Sequence, residues 1–232
     1  MTRPHSGGAG FPLEGTKFYD VLAASPLVAA YGWFLLTETP GFINQLASPA
    51  EDAAGPEVMI GAVGGILSLA VAGLLIILVF VRTVPIRKAS GVIPRVVALA
   101  GAAGGVALLS LPEAPMPLWL ETASIVLMFT GMGGMLVSLL CLRRAFSVFP
   151  EARALVTTGP YTVVRHPVYL FEEVTFFGMM LQFTQPWAFV IFVAQCAFQL
   201  MRIPYEEHVL RETFPEYEAY AARTARILPG FK

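Results

Sequence analysis

Residues 58–81 run for 24 consecutive positions without an Asp, Glu, Lys or Arg. As a helix this stretch would rise about 36 Å, more than the roughly 30 Å hydrocarbon core of a bilayer. A second uncharged run covers 122–142, with Glu121 at its outer edge. Residues 21–37 and 92–111 are predicted as further spans, although they carry Pro26 and Arg95. Across the whole 232-residue chain only 13% of residues are charged, about half the usual share for a globular protein. A chain this small keeps much of its surface exposed, so the solvent it is built for is lipid. A net charge of −1 and two cysteines exclude a disulfide scaffold and a basic nucleic-acid binder. The high apolar content excludes a disordered chain.

The fifteen basic residues are unevenly spread. None lies between Lys17 and Arg82, and none between Arg95 and Arg143, where the loops hold only Glu38, Glu51, Asp52, Glu57 and Glu113. The positive-inside rule then places the N-terminus, the 82–95 loop and everything after 143 in the cytoplasm. The expected location is the inner or plasma membrane, multi-pass, with both termini cytoplasmic. The N-terminal MTRPHSGGAGFPLEGTK has no apolar run after its positive charge, so a cleaved signal peptide is not expected.

Residues 174–201 contain 28 uncharged positions interrupted by Gln182, Thr184, Gln185 and Pro186. They read either as one long kinked span or as a hairpin of two half-length helices. Basic residues at both ends, Arg165 and Arg202, favour the hairpin. Gly61/Gly65, Gly101/Gly105 and the Gly131, Gly133, Gly134 group suit close helix packing. No βαβ pattern is present, which excludes a Rossmann-type cofactor domain. The expected fold is all-α, a polytopic membrane bundle of four spans plus a C-terminal hairpin. Residues 1–142 would hold the first four spans and 143–232 a polar, cytoplasmic functional region.

Few residues could carry chemistry. His5, His166 and His208 lie far apart and show no metal-ligand spacing, so no metal is expected. Cys141 and Cys196 fall in predicted helices and read as small buried hydrophobes. No G-x-S-x-G elbow occurs. Polar residues gather instead in two pieces. The first is Leu155-Val-Thr-Thr-Gly-Pro-Tyr161-Thr-Val-Val-Arg165-His166-Pro167-Val-Tyr169, with a turn at Thr158-Gly159-Pro160 and Pro167 suited to opening a helix. A plain loop anchored at the interface by Arg165 and Tyr169 explains it equally well. The second runs from Arg202 through Glu206-Glu207 to Phe214, Tyr217 and Tyr220. It suits an amphipathic surface helix. Arg202 and Glu206, four apart, suit a helix ion pair, although Pro204 between them weakens that pairing.

The ordered set LVTxGxYxxxRHPxY, a hairpin, R-x-x-x-E-E, F-x-x-Y-x-x-Y and a closing Pro-Gly resembles the isoprenylcysteine carboxyl methyltransferase family. The related membrane phospholipid methyltransferases share much of this pattern. The likeness covers about 143–232. It implies that S-adenosyl-L-methionine is bound on the cytoplasmic side by Arg153, Ala154, Leu155, Val156, Tyr161, His166, Pro167, Val168 and Tyr169. It further implies that Glu206 meets the cofactor and Arg202 the substrate carboxylate, and these two are the candidate catalytic residues. The chain departs from the pattern at Phe171, where the family often has glycine, and at Glu172-Glu173.

Methyl transfer from a sulfonium chiefly requires alignment. A carboxylate nucleophile is already ionised near neutral pH, which suits a chain without a nucleophile–base constellation. Glu172 and Glu173 are expected either at the interface, solvated or paired with Arg165, or facing a substrate. Facing a substrate, they would favour a cation and thus N-methylation of an amine lipid headgroup. S-methylation of a small thiol is a third reading. A non-enzymatic transporter or scaffold is disfavoured by the absence of a repeat and by the cytoplasmic placement of polar residues. The expected partners are the bilayer and a lipophilic or lipid-modified substrate, with no nucleic acid. Neither substrate identity nor oligomeric state is legible.

Overall fold

The computed structural model describes residues 16–47 and 56–230. The expectations for the N-terminal segment, including Arg3 and His5, and for Glu51 and Asp52 lie outside these residues. The chain is helical almost throughout: α1 (Lys17–Ala23), α2 (Ser25–Ala47), α3 (Pro56–Val81), α4 (Ile93–Leu109), α5 (Leu118–Leu142), α6 (Pro167–Met180), α7 (Trp187–Thr213) and α8 (Tyr217–Arg223). Two two-residue strands, β1 (Arg87–Lys88) and β2 (Glu151–Ala152), pair antiparallel. By length and composition, Met59–Val81, Leu118–Ala145 and Trp187–Thr213 are long and apolar enough to cross a membrane. The bent α1–α2 pair makes a fourth if taken as one span. Leu36, Ile66, Val126 and Val190 are more than half exposed, as lipid-facing side chains are.

Two expected spans take a different form. The 21–37 segment is not straight: the chain bends by 59° between α1 and α2. Pro26 stands at the second position of α2, where its missing N–H costs α2 nothing, but without that N–H it cannot carry the hydrogen-bond ladder of α1 across Ala24. Residues 92–111 form α4, which at 17 residues is shorter than the helices that qualify as spans.

Residues 174–201 do form a hairpin, but its arms are unequal. α6 has 14 residues and α7 has 27, so the second arm is a full-length helix rather than a half. The tip is held by the loop after α4. Ala114 N–H donates to the Gln182 carbonyl at 2.9 Å, and Thr184 N–H to the Pro112 carbonyl at 3.0 Å. Leu108, Met180, Phe183 and Ala188 close a small core beneath it.

Glycines set the α5–α6 contact. A Cβ on Gly131 would lie 2.7 Å from the Phe171 carbonyl oxygen, and one on Gly178 2.8 Å from the Ser124 carbonyl oxygen. The Phe171 ring occupies the space over Gly134. Gly65, Gly101 and Gly105 also face side chains of neighbouring helices, whereas Gly133 faces open space. Without a hydrophobic drive between helices in lipid, such close approach is what dispersion contacts require.

At the other end of the bundle, the β1–β2 pair and two further bonds tie the α3–α4 loop to the segment after α5. Thr83 N–H donates to the Arg144 carbonyl at 3.0 Å and Ile86 N–H to the Ala152 carbonyl at 2.8 Å. A larger core of Val71, Leu75, Leu78, Val79, Leu139, Phe146 and Val148 fills the space between α3, α5 and this loop.

Candidate active site

The two polar sequence pieces meet in space. Arg165 N–H donates to the Ala225 carbonyl at 2.8 Å, His166 N–H to the Arg226 carbonyl at 3.2 Å, and Ala225 N–H to the Val163 carbonyl at 3.3 Å. The segment after α8 thus lies alongside the one leading into α6. Tyr220 adds a hydroxyl donated to the Tyr161 carbonyl at 2.8 Å. Burial pushes the Tyr161, Tyr217 and Tyr220 phenols up, Tyr220 to about 12, so all three stay protonated, and Tyr220 donates.

Gly159 makes the turn before Tyr161 with φ +62°, and a Cβ there would meet Cys141 Sγ at 2.6 Å. Only glycine meets both demands without strain. Pro167 opens α6 at its first position, which sets His166 and Tyr169 on one side. Their rings stack with centroids 5.5 Å apart and planes within 1°.

Against this stack α7 sets two charged residues. Arg202 Nε donates to Glu206 Oε1 at 3.0 Å and Nη2 to the Val148 carbonyl at 2.6 Å. Its guanidinium lies 4.9 Å from the centre of the Tyr169 ring. The Tyr169 hydroxyl donates to the same Glu206 oxygen. Pro204 does not break the register: α7 runs through it, so the i, i+4 pair survives. Residues 202–213 are therefore the end of α7, not a separate surface helix.

Arg202 and Glu206 each retain unused capacity. Among the described residues neither Arg202 Nη1 nor Glu206 Oε2 makes a hydrogen bond, and His166 Nδ1 lies 3.9 Å from Glu206 Oε2. The Glu206 side chain is 17% exposed. Glu207, one residue on, has 0% exposure. It takes Arg165 Nε at 3.0 Å, Arg226 Nη2 at 2.9 Å, Arg211 Nη2 at 3.2 Å and His166 Nε2 at 3.4 Å.

Residues 120–217 match the phospholipid methyltransferase family. The match begins inside α5, and so takes in a helix that the sequence groups with the first four spans. Within the curated proteins, the nickel-cobalt-cadmium resistance protein NccN of Alcaligenes xylosoxydans xylosoxydans is 40% identical over 82 residues, 34% of this chain and 38% of that protein. The aligned part is thus well under half of that relative's length.

The remaining predicted site residues are distributed as follows. Within the family segment, His166, Pro167, Tyr169, Tyr161 and Arg202 are buried, and Val168 and Glu206 are half-buried around the stack. Leu155 and Val156 are half-buried and Ala154 is exposed. Arg153 is elsewhere: its guanidinium donates to Asp20 Oδ1 at 2.5 Å, Glu151 Oε2 at 2.6 Å and the Thr83 carbonyl. Glu172 and Glu173 do not pair with Arg165, whose carboxylate partner is Glu207. Glu172 accepts from Gln199 Nε2 at 2.6 Å and Glu173 from Cys196 Sγ at 3.0 Å. Cys196 is thus a hydrogen-bond donor rather than an inert hydrophobe. Both cysteines are free. No group of three or more His, Cys, Asp or Glu side chains that could hold a metal occurs among the described residues.

Sequence reasoning missed Glu207, Arg226 and the Val148 carbonyl. The Glu-Glu dipeptide was the available signal for the first. A helix rotation of one residue is about 100°, so two adjacent acids must face different surroundings. Nothing in the sequence announces a backbone carbonyl.

Proposed function

We propose that this chain is an integral membrane methyltransferase using S-adenosyl-L-methionine, resembling the isoprenylcysteine carboxyl O-methyltransferases in its reaction. The observation that carries the reading is the Tyr169–Glu206–Arg202 cluster, built from α6 and α7 inside a segment that matches a methyltransferase family. The donor set suits the cofactor. A sulfonium bearing an amino-acid end is recognised by carboxylate acceptors, aromatic faces and a guanidinium. Glu206 Oε2 and the His166–Tyr169 stack supply the first two, and Arg202 Nη1 is kept for the substrate carboxylate. When bound, that cofactor supplies an electrophilic methyl carbon on sulfur.

In this reading Glu206, His166, Tyr169 and the 154–156, Tyr161 and 167–168 positions hold the cofactor, and Arg202 holds the substrate carboxylate. Arg153 acts from behind, fixing the 153–156 segment to Asp20. Arg202 would present the substrate carboxylate to that methyl carbon, and because a carboxylate is already ionised near neutral pH, no residue would be needed as a general base. Arg202 already lies on Tyr169 and Glu206, which fixes its fork before a carboxylate arrives. The helices 1–142 would form the scaffold, and the lipophilic tail of the substrate would lie between spans. The cofactor would enter from the cytoplasm, the side to which the basic loops would assign both termini.

A second reading draws on a specific feature. Glu172, Glu173, Gln199 and Cys196 line the α6–α7 contact as a polar row, with Glu173 Oε1 and Gln199 Oε1 lacking partners among the described residues. Such acceptors suit an amine, and the reaction would then be N-methylation of a lipid headgroup.

Purified protein given methyl-labelled cofactor and three lipids, bearing a carboxylate, an amine or a thiol, separates these readings. A methyl ester releases volatile label in base, whereas an N- or S-methyl product does not. Base-labile product from the carboxyl lipid alone is the expected result. Base-stable product on the amine lipid, lost in Glu172→Gln/Glu173→Gln, would replace the first reading with the second.

A further inference from the structure

The end of α3 carries a cationic site that the proposed active site does not use. An open cleft of about 650 Å³ there is lined by Lys17, Arg82 and Arg144, by Thr83, and by the apolar Phe80 and Val81. No acidic residue lines it. Behind it Asp20, 2% exposed, is shared by three cations. It takes Arg82 Nε at 2.8 Å and Arg153 Nη2 at 2.5 Å, with Lys17 Nζ at 3.9 Å. Glu151 serves Arg153 at 2.6 Å and Lys88 at 4.0 Å. Among the described residues these two carboxylates serve four cations, Lys17, Arg82, Lys88 and Arg153, and Arg144, a fifth, has none within ion-pair reach.

Arg82 is the decisive member. It is 2% exposed, yet its Nη1 has no hydrogen-bond partner among the described residues. A buried guanidinium donor left unsatisfied is costly. Lys17 Nζ donates to the Arg82 carbonyl at 2.5 Å, and Arg144 Nε to the Val81 carbonyl at 3.0 Å. These bonds fix both cations at the rim without neutralising their charge. The apolar span ends at Val81, so the cleft sits where a lipid headgroup would lie. Ile77, Phe80 and Val81 are 56%, 52% and 45% exposed. At i, i+3 and i+4 they form one helix face, long enough to guide the start of an acyl chain.

We propose that this cleft binds the phosphate headgroup of an anionic bilayer phospholipid, its acyl chains descending along Ile77, Phe80 and Val81. Cationic pockets between spans at the cytoplasmic surface suit such headgroups through short-range charge attraction. The assignment does not depend on the methyltransferase reading, since the cleft shares no residue with the Tyr169–Glu206–Arg202 cluster.

The test is lipid retention by native mass spectrometry on the full chain purified in detergent. The probes are phosphatidylglycerol, phosphatidylcholine and inorganic phosphate. The intact protein should retain phosphatidylglycerol over phosphatidylcholine. The rim variant Lys17→Gln/Arg144→Gln should weaken phosphatidylglycerol about thirtyfold and leave phosphatidylcholine unchanged. Arg82→Gln should weaken it too, and if that variant fails to fold the rim pair still decides. Equal retention of the two lipids, or undiminished phosphatidylglycerol binding in the rim variant, would overturn the proposal. Inorganic phosphate binding as tightly as phosphatidylglycerol, and lost in the same variant, would overturn the lipid assignment in favour of a soluble phosphate.

Discussion

Glu206 and Glu207 are chain neighbours with opposite surroundings. Glu207 is enclosed by three arginines and His166, while Glu206 shares Arg202 and Tyr169 and keeps one oxygen open. The first arrangement is that of a structural lock and the second that of a binding group. Removing the Glu207 charge strands buried Arg165, and breaking such a buried network costs about 3–5 kcal/mol. Glu207→Gln is therefore expected to lower the unfolding midpoint in detergent far more than Glu206→Gln. Thermal unfolding followed by circular dichroism measures both. At Arg202 the expectation concerns turnover. Arg202→Ala should lose about a hundredfold or more of the rate, since misplacing a reactant is that costly. Arg202→Lys should not restore it, because a lysine lacks the planar fork that lies on Tyr169 and reaches Val148. Equal, mild losses in both variants would reduce the Arg202–Glu206 pair to an ordinary helix ion pair.

At the scale of helices, the α5–α6 contact rests on one matched pair. The Phe171 ring fills the space over Gly134. The large side chain on α6 is thus matched by a missing one on α5. Gly134→Ala should overpack the contact and cost about 1–3 kcal/mol. Gly133→Ala, next to it but facing open space, should be nearly neutral. Adding Phe171→Ala to Gly134→Ala should recover part of the loss, a coupling expected only of residues in contact. Unfolding in detergent of the four variants completes the cycle, and additive losses would contradict the packing account.

The helical class, the uncharged runs and the two polar pieces were legible from residue types because hydropathy and turn chemistry are local. The α1–α2 bend is only half visible: Pro26 lies within an apolar run, but a proline at a helix start and one inside a span look alike in sequence. The unequal hairpin was not legible. Gln182–Pro186 marks a turn, yet the arm lengths depend on where the tip meets the Pro112–Ala114 loop. At the site, Tyr169, Arg202 and Glu206 could be named from the pattern. Arg153 could not be separated from them, since its commitment to Asp20 spans 133 residues. Partners that distant leave no spacing to read.

For the whole molecule, a lipid-embedded bundle with most polar density at one end concentrates its specific chemistry there. The central claim is that the Tyr169–Glu206–Arg202 cluster binds a sulfonium cofactor and aligns a lipophilic acid beside it. Calorimetric titration of S-adenosyl-L-methionine into the purified chain, Arg202→Ala and Glu206→Ala tests it most directly. The account predicts one-site heat for the unaltered chain, the same affinity for Arg202→Ala, and loss of binding for Glu206→Ala. No heat with the unaltered chain at millimolar cofactor, or binding untouched by Glu206→Ala, would contradict it.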